Sequence, residues 1–267
     1  MSRKCDRKNA RDTNGDGYLE VSEGVDLNRN YPFRWGTGEV PSRGWHRSSY
    51  YRGPSGGSEP ETKAMMALAD ERHFAAAISW HTSSTKILTP YTIDGVKNLQ
   101  PDIPSLVMQP IIAKLPVQPN KKSFTLVRKL YSVDGVDQDW FFFNHGTLAY
   151  LLEGSHHNPA NWKTAQASIQ GARPVFQHLL DRLVGGPMVV GKVVNLLGKP
   201  KVAVVSIDEV KTFNGEQWQS RAMDGRFARV LHAPGTYTVR ATVGERSVSK
   251  RVQVPATGWA EVKLVLR

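Results

Sequence analysis

Cysteine is nearly absent: Cys5 is the only one in 267 residues, which excludes an internal disulfide framework and leaves the redox compartment unread. Long apolar runs are missing too. No stretch approaches the roughly 18 consecutive apolar residues of a membrane-spanning helix, so no span is expected. The opening residues, MSRKCDRKNARD, lack the apolar core of a signal peptide. No run of five or more like charges occurs, and no basic ribbon is interleaved with aromatics. The net charge of +11 and pI near 9.8 would suit an anionic partner, but the basic residues are scattered and nucleic acid is not expected. Of the eight histidines, none lies in H-E-x-x-H and none precedes a glutamate by three residues. Spacing alone gives no complete metal site.

With 40% hydrophobic residues, the chain has enough apolar material for one large domain or two smaller ones. GVDLNRNYPF (24–33) reads as a strand entering a turn. SEPETKAMMALADERH reads as a helix with Ser58 as N-cap and Glu61 completing a capping box. FAAAISWH then reads as a buried strand, KSFTLVRKLY as a strand, QDWFFFNHG as a short helix ended by Gly146, and TLAYLLEG as a second buried strand. NWKTAQASIQGARPVFQHLLDRLV is a long amphipathic helix, expected to bend at Pro174. After Gly185-Gly186-Pro187 the pattern becomes six short alternating segments separated by turn residues. The expected fold is α/β with a mixed sheet and flanking helices over 1–186, followed by a small all-β sandwich over 187–267.

Two polar residues end apolar strands, His81 in AAAISWH and Glu153 in YLLEG. An imidazole or carboxylate in such a place needs a partner or a task, and two strand ends of one α/β sheet suggest one crevice. For His81 taken alone, a hydrogen-bonded core histidine is the favoured reading. His178 with Asp181 reads as a solvated helix face, and His156-His157 as a surface loop. Asp12, Asn14, Asp16, Gly17, Tyr18 (through its carbonyl), Leu19 and Glu23 fit the D-x-[DN]-x-[DN]-G-x₅-E spacing of a calcium loop. The flanks do not look like paired helices, so an Asp- and Gly-rich surface turn accounts for the same residues.

RKN (7–9), GVDLNRNY (24–31), YYRGPSGGSEPET (50–62), SWHTSSTKILTPY (79–91), YSVDGVDQDW (131–140) and LAYLLEG (148–154) together resemble the zinc carboxypeptidases in order and spacing, over roughly residues 5–185. The following β segment is similar to the transthyretin-like sandwich of regulatory carboxypeptidases. The resemblance implies a zinc-dependent peptidase that removes C-terminal amino acids from peptides or proteins, with an extracellular or periplasmic location. It implies His81 as the third zinc ligand and Glu153 as general base. Arg7 would polarise the scissile carbonyl, while Asn28 and Arg29 would grip the substrate's terminal carboxylate. Tyr131 would close over the substrate. Gln138 would lie at the base of the specificity pocket, neutral and polar as in regulatory members.

The family's first two zinc ligands come from an H-x-x-E motif upstream of RKN, where this chain begins. From that departure a truncated gene model, an exposed apolar sheet edge and weak zinc affinity are expected, with little or no activity for the isolated chain. A non-catalytic module that binds peptide C-termini through Asn28, Arg29 and Tyr131 is the alternative. A third possibility places the function in the β segment, an adhesion or folding-support module whose thirteen basic and six acidic residues over 188–267 give a net charge of +7.

Overall fold

The computed structural model describes residues 7–18, 20, 22–38, 44–118 and 122–267; Cys5 and Leu19 lie outside them. Short apolar strands and aromatic-rich helices build a first, mixed α/β unit. Its sheet consists of β1 (Ala76–His81), β2 (Lys86–Leu88), β3 (Thr125–Val127) and β4 (Leu148–Glu153) in the order β1-β4-β2-β3. β1 runs parallel to β4, β2 antiparallel to β4, and β3 parallel to β2. Every residue of β4 is buried, as a strand flanked on both sides should be. β1 lies at the sheet edge and is not the buried strand its composition suggested: its residues are half-buried, and Trp80 is 53% exposed. KSFTLVRKLY forms a strand only over Thr125–Val127.

The helices are α1 (Pro60–Arg72), α2 (Ile103–Ile112), α3 (Asp137–His145) and α4 (Trp162–Gly185). Their buried faces join β2 and β4 in one core that includes Ile87, Met108, Phe142, Tyr150 and Leu152. The start of α1 differs from the capping-box expectation. Pro60 occupies the first turn, Glu59 is the N-cap with no side-chain cap bond, and the Ser58 hydroxyl donates to Glu59. Proline favours that position because its missing N–H would be unpaired there anyway. The capping box lies instead on α4, where Asn161 and Thr164 satisfy each other's backbone amides. α4 continues through Pro174 as one helix. GVDLNRNYPF forms no strand, because Leu27–Arg29 closes into a 3₁₀ turn with Asp26 as its side-chain cap.

The second unit contains only strands: β5 (Met188–Asn195), β6 (Val204–Ile207), β7 (Arg226–Val230), β8 (Gly235–Val243), β9 (Arg246–Val254) and β10 (Trp259–Leu266). They form two three-stranded sheets, β10-β5-β7 and β6-β8-β9. Alternate residues such as Val193, Val205, Phe227, Val239 and Leu264 share a second core, which is the burial pattern period-2 sequences produce. The two units touch through side chains. Tyr91 Oη donates to Glu216 at 2.9 Å, and Trp218 Nε1 donates to the Phe143 carbonyl at 3.1 Å. Gly146, left-handed at the end of α3, leaves room for the Trp218 ring, which a Cβ there would meet at 2.6 Å.

Candidate functional site

The parallel register of β1 and β4 pairs His81 with Glu153, and the Gly154 amide donates to the His81 carbonyl at 2.8 Å. Register partners on adjacent strands project to the same face, so the imidazole and the carboxylate share one side of the sheet at its C-terminal end. The other chemical groups reach them from two loops. A backbone bond from the Asn9 amide to the Val25 carbonyl, reinforced by the Asn9 side-chain oxygen accepting from the Val25 amide, fastens the RKN segment to the VDLNRN turn. That clasp sets Arg7 beside Asp26, with Nε 2.5 Å from Oδ2.

Asp26 has two tasks. Its Oδ2 takes the Arg7 guanidinium, and its Oδ1 accepts the Asn28 amide at 3.1 Å. The Asn28 side chain in turn spans the site. Its Nδ2 lies 3.2 Å from His81 Nε2, and its Oδ1 accepts the Asp137 amide at 2.9 Å. Arg29 is 4% exposed and donates to the Tyr131 hydroxyl at 3.0 Å and to the Asn28 carbonyl at 2.5 Å. Gly135 allows this packing: it is left-handed, and a Cβ there would lie 2.3 Å from the Arg29 carbonyl oxygen. Both guanidiniums lie over the Tyr50 ring, at 5.0 Å for Arg7 and 5.8 Å for Arg29.

Burial dominates the electrostatics. It raises the Glu153 carboxyl above the usual carboxylate range, and the positive charges of Arg7 and Arg29 oppose it without reversing it. Glu153 Oε2 is buried with no hydrogen-bond partner among the described residues. Burial likewise lowers His81, helped by Arg7 and Arg29 and countered by Asp137 and Asp26. The neutral imidazole that results is the form able to donate a lone pair. Desolvation works to lower Arg7, but its ion pair with Asp26 prevails and its pKa rises. Arg7, Asp26, Asn28 and His81 line an open cleft of about 640 Å³, while Glu153 and Arg29 are buried residues of the same cluster that do not line it.

Arg7, Asn28, Arg29, His81, Tyr131 and Glu153, picked out at the sequence level, are therefore brought together. Gln138 is not with them at the cleft surface: it is 1% exposed in α3 with Oε1 unpartnered. Asp26 and Asp137 were missed. The signal for Asp26 was its position before the Leu27–Arg29 turn, where Asp commonly caps. Asp137 is half-buried, and desolvation raises its carboxyl against its hydrogen bond with Ser79 and the proximity of His81. His178 lies 3.8 Å from Asp181 on α4, and His156 and His157 pack against each other; none of the three lines the cleft.

In the 12–23 loop the candidate calcium oxygens face backbone amides. Asp12 accepts from Asn14, Gly15 and Gly17, Asn14 from Asp16, Asp16 from Tyr18, and buried Glu23 from Thr13, Asn14 and Glu20. The Gly17 and Gly15 amides hold Asp12 below its ordinary value. Among the described residues no α-helix flanks the loop, and its geometry adds nothing to the calcium reading beyond the spacing itself.

The family model "Zinc carboxypeptidase", peptidase M14, matches residues 1–169, and the chain belongs to that family. It is similar to the metallocarboxypeptidase A-like protein of Trichophyton verrucosum (strain HKI 0517), 32% identical over 142 residues that cover 50% of this chain and 32% of that one. Carboxypeptidase A5 of Macaca fascicularis is 30% identical over 174 residues, covering 59% and 38%. The chain thus spans about a third of the length of these relatives. Among solved structures, thrombin activatable fibrinolysis inhibitor aligns at a TM-score of 0.48 and 24% identity, covering 65% of this chain and 42% of that one.

The family implies zinc, and a catalytic zinc takes three protein ligands. Among the described residues no group of three or more His, Cys, Asp or Glu side chains is arranged to hold a metal. His81 is a single suitable donor with its Nε2 engaged by Asn28. The described residues do not by themselves fit the metal, and no helix among them is long and apolar enough to cross a membrane.

Proposed function

We propose that this chain supplies the substrate-carboxylate side and the general base of a metallocarboxypeptidase site that releases C-terminal amino acids from peptides. The observation that supports this best is the in-register pair His81 and Glu153 with Arg7, Asn28 and Arg29 drawn onto it. Arg29 and Asn28 bind the terminal carboxylate; a guanidinium fork matches that group in shape and charge. Tyr131, 45% exposed and already bonded to Arg29, covers the bound residue. Arg7 stabilises negative charge on the scissile carbonyl oxygen. Glu153, its proton affinity raised by burial, takes a proton from the attacking water and passes it to the leaving amine. Gln138 shapes the side-chain pocket from within α3.

His81 is the chain's contribution to the family's zinc, and a single imidazole holds the ion weakly. Hydrolysis by this chain alone is therefore slow or absent, and recognition of peptide C-termini is the activity it retains. Residues 187–267 form a transthyretin-like sandwich, a separate domain supporting an enzyme that works outside the cytoplasm.

Calorimetric titration with an acylated dipeptide bearing a free α-carboxylate, and with its amide, tests the proposal. The acid binds and the amide binds at least tenfold more weakly, a difference of about 1.4 kcal/mol. Arg29→Ala removes that preference. Equal affinity for acid and amide would overturn it.

A further inference from the structure

A groove outside this site carries a charge arrangement that the peptidase reading does not use. In the sheet β10-β5-β7, Lys263 is the register partner of Lys192, and Lys192 of Arg226. The three cations form a row across adjacent strands about 4.8 Å apart, all on one face. All three are exposed, whereas their strand neighbours Val262, Val193 and Phe227 point into the core. Like charges placed directly opposite destabilise a sheet. Arg226 is relieved by Asp224 at 3.4 Å, which also binds Arg221. Lys192 and Lys263 have no ion pair among the described residues.

The row lines a groove of about 1060 Å³ between this sheet face and the ends of α1 and α4. Arg72 and Arg221 bring the cations on its walls to five, against one lining carboxylate, Glu261; Arg72 is paired with Glu71, and Arg221 and Arg226 with Asp224, which leaves Lys192 and Lys263 to a ligand. Trp259 lies on the same face as the row, 50% exposed, and Val184 at the end of α4 is 70% exposed.

We propose that this groove binds a linear sulfated or carboxylated polysaccharide. The cations meet the anionic substituents, and the indole of Trp259 offers an apolar face to the C–H side of a sugar ring. Three alternatives fit less well. β5, which carries the central Lys192, is hydrogen-bonded on both sides, so an extended acidic peptide lying along the middle of the row finds no free backbone donors there. The surface is a groove between helix ends and a sheet, which a flat bilayer does not enter. Single-stranded nucleic acid binds through successive aromatic platforms, and among the described residues of the groove Trp259 is the one exposed indole or phenyl ring, since Phe227 is buried in the core.

The test is calorimetric titration of the full chain with a size-defined heparin oligosaccharide at about 150 mM salt, repeated over a salt series. Binding is expected, with affinity falling as salt rises. Lys192→Gln/Lys263→Gln weakens it about tenfold, as loss of two exposed ion pairs should. Lys250→Gln/Arg251→Gln removes the same charge from exposed positions on β9 and leaves affinity unchanged. Trp259→Ala weakens the oligosaccharide but not inorganic sulfate. Unchanged melting temperatures show that the variants remain folded. No binding, or equal loss in both double variants, would overturn the proposal. So would tighter binding of an oligonucleotide or a poly-glutamate peptide through Lys192 and Lys263.

Discussion

At the scale of single residues, the cluster is built by burying charge and limiting the penalty with neighbours. Asp139 shows the size of the effect outside the cluster. It is buried in α3, and burial pushes its carboxyl up to about 7, although the Thr92 amide and hydroxyl both donate to it. The unfolded chain releases this proton near 3.8 while the folded protein retains it. Stability contributed by the protonated form is therefore complete below that value and is lost as pH rises through about 7. In urea titrations at several pH values, Asp139→Asn is expected to gain on the parent as pH rises across that window. Parallel curves would contradict the assignment.

The same scale shows what the sequence discloses. His81 and Glu153 were legible because polar groups that end apolar strands are costly to place without a partner or a task, whereas Arg7 and Arg29 were picked out only through the family resemblance of their motifs. Asp26 and Asp137 were not, because their meaning lies in contacts 19 and 109 residues apart in sequence, Asp26 with Arg7 and the Asp137 amide with Asn28. Gln138 was assigned to a pocket by motif position, yet burial in α3 is a property of packing and cannot be read from spacing.

Among elements, the turn segments position the site more than the strands do. The 131–136 loop approaches the Leu27–Arg29 turn so closely that the Tyr31 amide donates to the Gly135 carbonyl at 3.0 Å, with Gly135 left-handed. Gly135→Ala introduces both an unfavourable φ and a collision with the Arg29 carbonyl. It should lower stability by at least about 1 kcal/mol and weaken binding of free-carboxylate peptides, which denaturant melts and calorimetry would show. Wild-type stability and affinity in that variant would mean that the close approach does not hold Arg29.

Alternation revealed all six strands of the second unit because each buries one face. The VDLNRN segment misled for the opposite reason: its apolar residues resemble a strand, but Asp26 caps a 3₁₀ turn instead. β1 was expected to be buried from its alanines and isoleucine, yet its place at the sheet edge follows from long-range pairing with β4 alone.

Across the whole molecule, the α/β and β units are joined by more than the Gly185-Gly186 linker. Trp218 lies edge-on to Phe142 at 5.4 Å, donates to Phe143 and fills the space above Gly146. Gln100 and Lys211 add a backbone bridge. One cooperative thermal transition is expected for the intact chain. Trp218→Ala, which removes a large aromatic contact worth roughly 3 kcal/mol, should split the transition into two. Two separate transitions in the parent protein would show that the contact does not couple the units.

The most direct test of the account is nuclear magnetic resonance with labelled histidine and glutamate, following the His81 imidazole and the Glu153 carboxyl as a free-carboxylate peptide is added. Both signals should move together with one dissociation constant, and Arg29→Ala should abolish both responses. Saturable peptide binding that leaves the two resonances in place would contradict the claim that these groups form one site.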